Sequence, residues 1–234
     1  MTIDFHRLGR YQSPFDVRDY NLKDFIPKGA LRKIIKESNW SFPGDPLDQG
    51  DTPHCVGFSM ADFGINSPVN TQYVNADGHA FYYKCKIIDG QPNTEDGSTI
   101  RSAAKVLRSE GRIENYAFAP DMATIKWWLL NRSPMIVGTM WTESMFTPDE
   151  SNIIKVDDNM VGGHAYLLNE WRIDNYIGIQ NSWGSQWGNK GKAYISASDF
   201  EKLFKYDGEA LAAVELEPST ISKHKGCLLS FFKR

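Results

Sequence analysis

Hydrophobic spacing divides the chain into two textures. From Cys55 onward, "CVGFSMADFGI" sets Val56, Met60 and Phe63 at helical spacing, with Cys55 in the first turn and Pro53 just ahead of it. "HAFYYKCKII" and "STIRSAAKVLRSEGR" predict two further helices, the second ended by Gly111. "DMATIKWWLLNR" predicts a fourth, with Asp121 as N-cap after Pro120. The period then shortens. "MIVGTMW", "HAYLLNEWR", "YIGIQNSW" and "KAYIS" are β-rich runs parted by Gly, Asn and Asp, the signature of antiparallel strands. Within this half "SDFEKLF" offers a capping box, Ser198 with Glu201, for a small helix, and "EALAAVELE" one more strand. A helical half followed by a β half is an α+β layout, with a lobe boundary near Ser133–Pro134 and a cleft between lobes as the natural binding site.

The ends follow neither period. Residues 1–39 hold "YQSPFDVRDYNLKDF", which mixes Pro, Asp and aromatics, and a short amphipathic piece, "GALRKIIKES". They are expected to form an N-terminal arm or short propeptide ahead of a body over residues 40–217, helical at 50–133 and β at 134–217. Residues 218–234, with the basic "SKHKGCLLSFFKR", read as a solvated or docking tail.

Composition narrows the class. The 234 residues are 41% hydrophobic and 24% charged, ordinary for a globular protein with a sizeable core. A net charge of −3 and a pI near 6.0 give no general attraction to nucleic acid or an anionic membrane, so neither is an expected partner; oligomeric state is left open. The polar start "MTIDFHRLGRYQS" lacks the apolar run of a signal peptide, and no segment has transmembrane length. Cys55, Cys85 and Cys227 are widely spaced with no CxxC, suggesting neither a disulfide framework nor a zinc site. The expected setting is a reducing compartment, the cytoplasm.

A cysteine at a helix N-terminus gains thiolate character from the oriented amides there, and more from a neighbouring imidazolium. Of five histidines, His164 has the most telling context: it follows "VGG", where backbone can approach closely, and opens an apolar strand. Further on, in "QNSWGSQWGNKG", Asn181 is placed to hold one ring nitrogen of His164 and leave the other for a thiol. Trp183 would shield that bond from water, and Gln49 would join the Cys55 N–H in stabilising an oxyanion. Taken singly, each has a plainer reading: a buried thiol, a strand-end histidine, a turn asparagine, a core tryptophan. His79 and Cys85, on different faces of one helix, read as structural. His54 and Cys55 are adjacent, and adjacent side chains rarely converge on one ion, so no metal is expected and no organic cofactor is needed.

In combination, the order Gln49, Cys55, His164, Asn181 and the strings "QGDTPHCVGFS", "GGHAYLLNEW" and "NSWGSQWGNKG" resemble the papain-like cysteine peptidases. That family shows Q-G-x-C-G-S-C-W-A-F-S, a histidine before a small residue, and N-S-W-G-x-x-W-G-x-x-G. The resemblance spans roughly Trp40 to Glu217. It implies a two-lobe fold, a helical lobe and a β-barrel-like lobe with the active site between them. It makes Cys55 the nucleophile, His164 the acid/base and Asn181 its orienter; Gln49 lines the oxyanion hole and Trp183 is the shield. Gly97, in "EDGSTI", falls where the family pairs with substrate backbone. Gly162 and Gly163 fall in the pocket for the second residue upstream of the cut, where small residues leave room for a bulky apolar side chain. Three neighbours depart from the pattern: His54 replaces a serine, Val56 a tryptophan and Thr52 a cysteine. The implied function is an endopeptidase that cleaves peptide or protein substrates through a thioester acyl-enzyme. The rival readings are a papain-fold binding or structural protein without turnover, and a peptidyl transferase using the same site.

Overall fold

The computed structural model describes residues 7–28, 35–94 and 96–215. Most of "GALRKIIKES" and the whole tail from residue 218 lie outside the described residues, so the predictions made for them are not addressed.

The chain enters through two short strands, β1 (Arg10–Tyr11) and β2 (Tyr20–Asn21), and a third, β3 (Ser38–Asn39). Helix α1 (Cys55–Ile65) is buried along its entire length, which is why its sequence is apolar on every side. Helix α2 (Asn75–Ile88) starts four residues ahead of the apolar run; the Val74 N–H donates to Asp77 Oδ2 at 2.8 Å, so polar side chains build its first turn. The predicted third helix divides into strand β4 (Ser98–Thr99) and helix α3 (Ile100–Ser109). Gly111 follows at φ +67°, its N–H bonded to the Arg108 carbonyl. After β5 (Asn115–Phe118), α4 (Met122–Asn131) begins at the expected cap, with the Thr124 N–H donating to Asp121 Oδ1 at 2.8 Å.

The β-rich half supplies β6 (Met135–Thr142), β7 (Ile153–Ile154), β8 (Met160–Trp171), β9 (Tyr176–Gln180), β10 (Lys192–Ser196), helix α5 (Ala197–Asp207) and β11 (Glu209–Val214). The cap of α5 is Ser196, whose hydroxyl accepts from the Asp199 N–H at 3.0 Å; Ser198 lies inside the helix, so the predicted capping box is displaced by two residues.

Nine strands form one sheet in the order β2-β5-β11-β6-β8-β9-β10-β7, with β3 paired to β8. Its run from β5 to β10 is antiparallel, as the alternation predicted, but β2 joins β5 and β7 joins β10 in parallel. Two apolar clusters pack against this sheet. One gathers α1 and α3 with Ile136, Ala165, Leu167 and Leu211; the other gathers α4 and α5 with Trp141, Trp171, Trp183 and Trp187. The architecture is α+β, and the N-terminus of α1 meets β8 where the two clusters adjoin. No helix among the described residues is long and apolar enough to cross a membrane.

Candidate active site

His54 is the N-cap residue of α1, and its side chain makes no capping bond. Its ring stacks on Tyr82 at 3.8 Å, and its Nδ1 lies 2.7 Å from Nδ1 of His79. His79, read from sequence as structural, thus holds the residue next to Cys55. The described residues contain no group of three or more His, Cys, Asp or Glu arranged to hold a metal.

Cys55 follows as the first residue of α1 and is fully buried. Burial pushes its thiol up to about 11, partly offset by the backbone groups of Ala165, Gly9 and Val56 around the sulfur. The sulfur therefore meets β8 beside His164. His164 sits in mid-strand, opposite Thr139 of β6, and is fully buried. Its Nε2 lies 2.9 Å from Asn181 Oδ1. That oxygen also accepts the Ser182 N–H at 2.9 Å, which fixes the amide orientation. Since Oδ1 only accepts, Nε2 carries the ring proton and Nδ1 keeps a free lone pair. Nδ1 has no hydrogen-bond partner among the described residues, Cys55 included. Burial holds the imidazole down at about 4, with the Asn181 bond opposing. At neutral pH the pair is thus thiol and neutral imidazole.

Trp183 covers this arrangement: its ring lies 4.7 Å from that of His164 and stacks on Phe146 at 5.1 Å. A buried polar network that sequence reasoning missed is centred on Gln180, the residue before Asn181. Gln180 donates to Asp62 Oδ1 at 3.0 Å and accepts from Asn66 and Asn169 at 3.1 Å each, tying α1 to β8 and β9. Burial raises Asp62 to about 8, and its Oδ2 has no partner among the described residues.

The N-terminal arm runs over the thiol. Arg10 and Tyr11 pair in parallel with Ser98 and Thr99, and the Ser98 N–H donates to the Gly9 carbonyl at 2.9 Å. The predicted substrate-side glycines all meet this segment. A Cβ on Gly97 (φ +124°) would lie 2.5 Å from the Gly9 carbonyl oxygen, one on Gly162 2.8 Å from Leu8 Cδ1, and one on Gly163 2.1 Å from the Arg10 carbonyl oxygen. Gln49 donates through Nε2 to the carbonyls of Thr52 (2.6 Å) and Arg7 (3.0 Å), while its Oε1 accepts from Ser182 Oγ at 2.9 Å. The side chain assigned to an oxyanion thus already holds a peptide carbonyl.

An α+β body with a peptide strand drawn across a buried cysteine is the layout of a peptide-processing thiol enzyme. The model of the papain family cysteine protease matches residues 50–207, most of the chain, and the chain belongs to that family. It is a cysteine peptidase, a hydrolase acting on peptide or protein substrates. Among solved structures it is similar to xylellain, a cysteine protease from Xylella fastidiosa, at 19% identity and a TM-score of 0.72, covering 92% of this chain and 99% of that one. Procathepsin B S9 from Trypanosoma congolense aligns at 13% identity and a TM-score of 0.67, over 92% and 88% of the two chains. The Carica candamarcensis protease CMS1MS2, solved in complex with E-64, aligns at 13% and 0.59, over 79% and 100%. No curated protein matches the sequence.

Proposed function

We propose that this peptidase works through Cys55, His164 and Asn181 and that the arm holds it closed in the state described. In the open enzyme the Cys55 thiol gives its proton to His164 Nδ1, and the sulfur attacks the scissile carbonyl. The Cys55 N–H and the Gln49 Nε2–H released from Arg7 hold the oxyanion. His164 then protonates the leaving amine, a thioester remains on Cys55, and water activated by the same ring releases the acid. Asn181 keeps the proton on Nε2 throughout, and Trp183 excludes water from that bond.

The observation that carries this reading is the course of residues 7–11. A peptide backbone lies in the groove, one carbonyl on Gln49 Nε2 and another on the Ser98 N–H, with Gly9 against the sulfur. The Cys55 sulfur and the Gln49 amide donor both meet peptide groups of the arm. Gly9 of the arm lies against the sulfur, where burial disfavours the thiolate, and burial of His164 disfavours the imidazolium as well.

The test is hydrolysis of a fluorogenic peptide panel, with labelling by an E-64-type epoxide, for the full chain and for Cys55→Ala. The substitution abolishes both and leaves the far-ultraviolet dichroism unchanged. Hydrolysis that survives it removes Cys55 from the mechanism.

A further inference from the structure

Two histidines that the mechanism leaves unused stand beside the nucleophile. His54 caps α1 with φ −91° and ψ 14°, between the helical and extended wells, and that ψ aims the N–H of the next residue, Cys55. The His54 carbonyl accepts the Phe58 N–H at 3.1 Å, which fixes one side of the peptide bond carrying the Cys55 N–H. The side chain anchors the other. Its buried ring stacks on Tyr82 at 3.8 Å, meets Tyr83 edge-on at 5.3 Å and brings Nδ1 to 2.7 Å from Nδ1 of His79. The family pattern has a serine here, and the ring that replaces it is what reaches α2.

At 2.7 Å the two ring nitrogens share a hydrogen bond: one Nδ1 bears the proton and the other accepts it. Two bare nitrogens, or two N–H groups, would repel at that distance, so the contact sets a tautomer on each ring. His79 is held in turn from α1 by Phe58, which it meets edge-on at 4.9 Å. The helices approach closely enough for this because Gly57 faces α2; a Cβ there would lie 2.3 Å from the Gly78 carbonyl oxygen. The edge that pairs with peptide backbone has separate holds. The Gly97 N–H donates to Tyr82 Oη at 3.1 Å, and the Gly97 carbonyl accepts from Lys86 Nζ at 2.9 Å.

We infer that His54 and His79 are positioning residues: the proton they share fixes His54 and, through it, the direction of the Cys55 N–H that receives the oxyanion. This deepens the reading of Cys55 as the nucleophile of a peptidase and rests on it. Because the edge at Gly97 is held by Tyr82 and Lys86, loss of His79 falls on turnover and spares substrate binding.

The experiment needs the arm out of the groove. Its anchor is Arg10, whose guanidinium donates to Asp207 Oδ2 at 2.7 Å, to the Asp207 carbonyl at 2.9 Å and to Glu209 Oε2 at 2.5 Å, so the variants are made in the full chain carrying Arg10→Ala. His79→Phe keeps a ring against Phe58 and removes the nitrogen. His79→Asn places an amide where Nδ1 stood, able to donate or accept. Removing an oxyanion donor outright costs about 10²–10³ in kcat, and misaiming one costs part of that. His79→Phe is therefore expected to lower kcat about 10-fold with KM changed less than about twofold, and His79→Asn to recover most of the loss. An unchanged kcat in folded His79→Phe, an equal effect on KM, or an Asn variant as slow as the Phe variant overturns the inference. Should His79→Phe not fold, nuclear magnetic resonance of the full chain with isotope-labelled histidine decides: one ring of the pair carries its proton on Nδ1, and the absence of an Nδ1 proton from both overturns the inference. Should the Arg10→Ala chain neither cut peptides nor react with the epoxide at Cys55, the peptidase mechanism fails and the pair is judged by the Cys55 amide resonance. His79→Phe is expected to move that resonance and His79→Asn to restore it; a resonance that neither moves overturns the inference.

Discussion

Replacing Arg10 with alanine removes the side chain that latches the arm. Three charge-assisted hydrogen bonds disappear with it. Such bonds contribute about 1.5–3 kcal/mol each, net of desolvation; with water taking over most partners once the arm lifts, a latch worth one of them is ~2–3 kcal/mol, equivalent to an opening equilibrium shifted about 30- to 150-fold. The lost pairing does not remain as a buried unpaired charge, because Asp207 and Glu209 regain water once the arm lifts. The variant should therefore stay folded and open more readily, in contrast to a core ion pair whose loss unfolds the protein. The assay is the second-order rate at which an epoxide inhibitor modifies Cys55, measured at pH 7 with the intact mass recorded. That rate should rise by at least about tenfold over the unsubstituted chain. An unchanged rate in a folded variant would falsify the latch and show that the arm is held elsewhere or does not gate the thiol.

Acid should loosen the arm as well. Burial holds His164 at about 4, against an ordinary 6.5, so any opening that exposes the ring binds more protons between those values and is favoured as pH falls through them. Between pH 7 and 5 the shift is about 2 kcal/mol, read as faster hydrogen exchange at the Ser98 amide, which the Gly9 carbonyl protects. The raised Cys55 acts in the opposite range, favouring opening above pH 9, so protection of Ser98 should peak near neutrality. Asp62, raised to about 8 by burial, contributes stability below the ordinary carboxylate range that is lost as pH rises through 8. Asp62→Asn keeps its shape and should flatten that decline, gaining roughly 4 kcal/mol at pH 7 relative to pH 4 in urea titrations; an unaltered pH profile would mean the carboxyl is not kept neutral. Asn181→Ala frees the imidazole to turn and should lower kcat about 10- to 100-fold with a smaller change in KM, whereas equal kcat would show that Trp183 and the strand alone orient the ring.

What the sequence made legible was local. The boundaries of α1 and the cap of α4 follow from apolar spacing and one side-chain bond, and β10 coincides with "KAYIS". The residues around Cys55, His164 and Asn181 were recognisable because each lies in a short string whose spacing survives translation into structure. Less local features escaped. Ser198 seemed the better cap for α5 because Glu201 completes a box with it, yet β10 ends at Ser196 and the chain turns there. The parallel pairings of β2, β4 and β7 join segments far apart in sequence, so no run of residues announces them. The same holds for Arg10, whose partners are 197 and 199 residues away. Its signal was one arginine in an irregular arm and a D-G-E turn at the end of a helix, neither of which specifies the other. Their contact is visible only when both are placed side by side.

The central claim is that the sulfur of Cys55 becomes acylated by the peptide that replaces the arm. It is tested most directly by mixing the Arg10→Ala chain with an activated peptide ester, quenching in acid within the first turnover, and locating the added mass. The account predicts one acyl group on the peptide containing Cys55 and none in Cys55→Ala, which should also fail to turn over. An acyl group on Cys85 or another residue, or turnover that persists in Cys55→Ala, would contradict it.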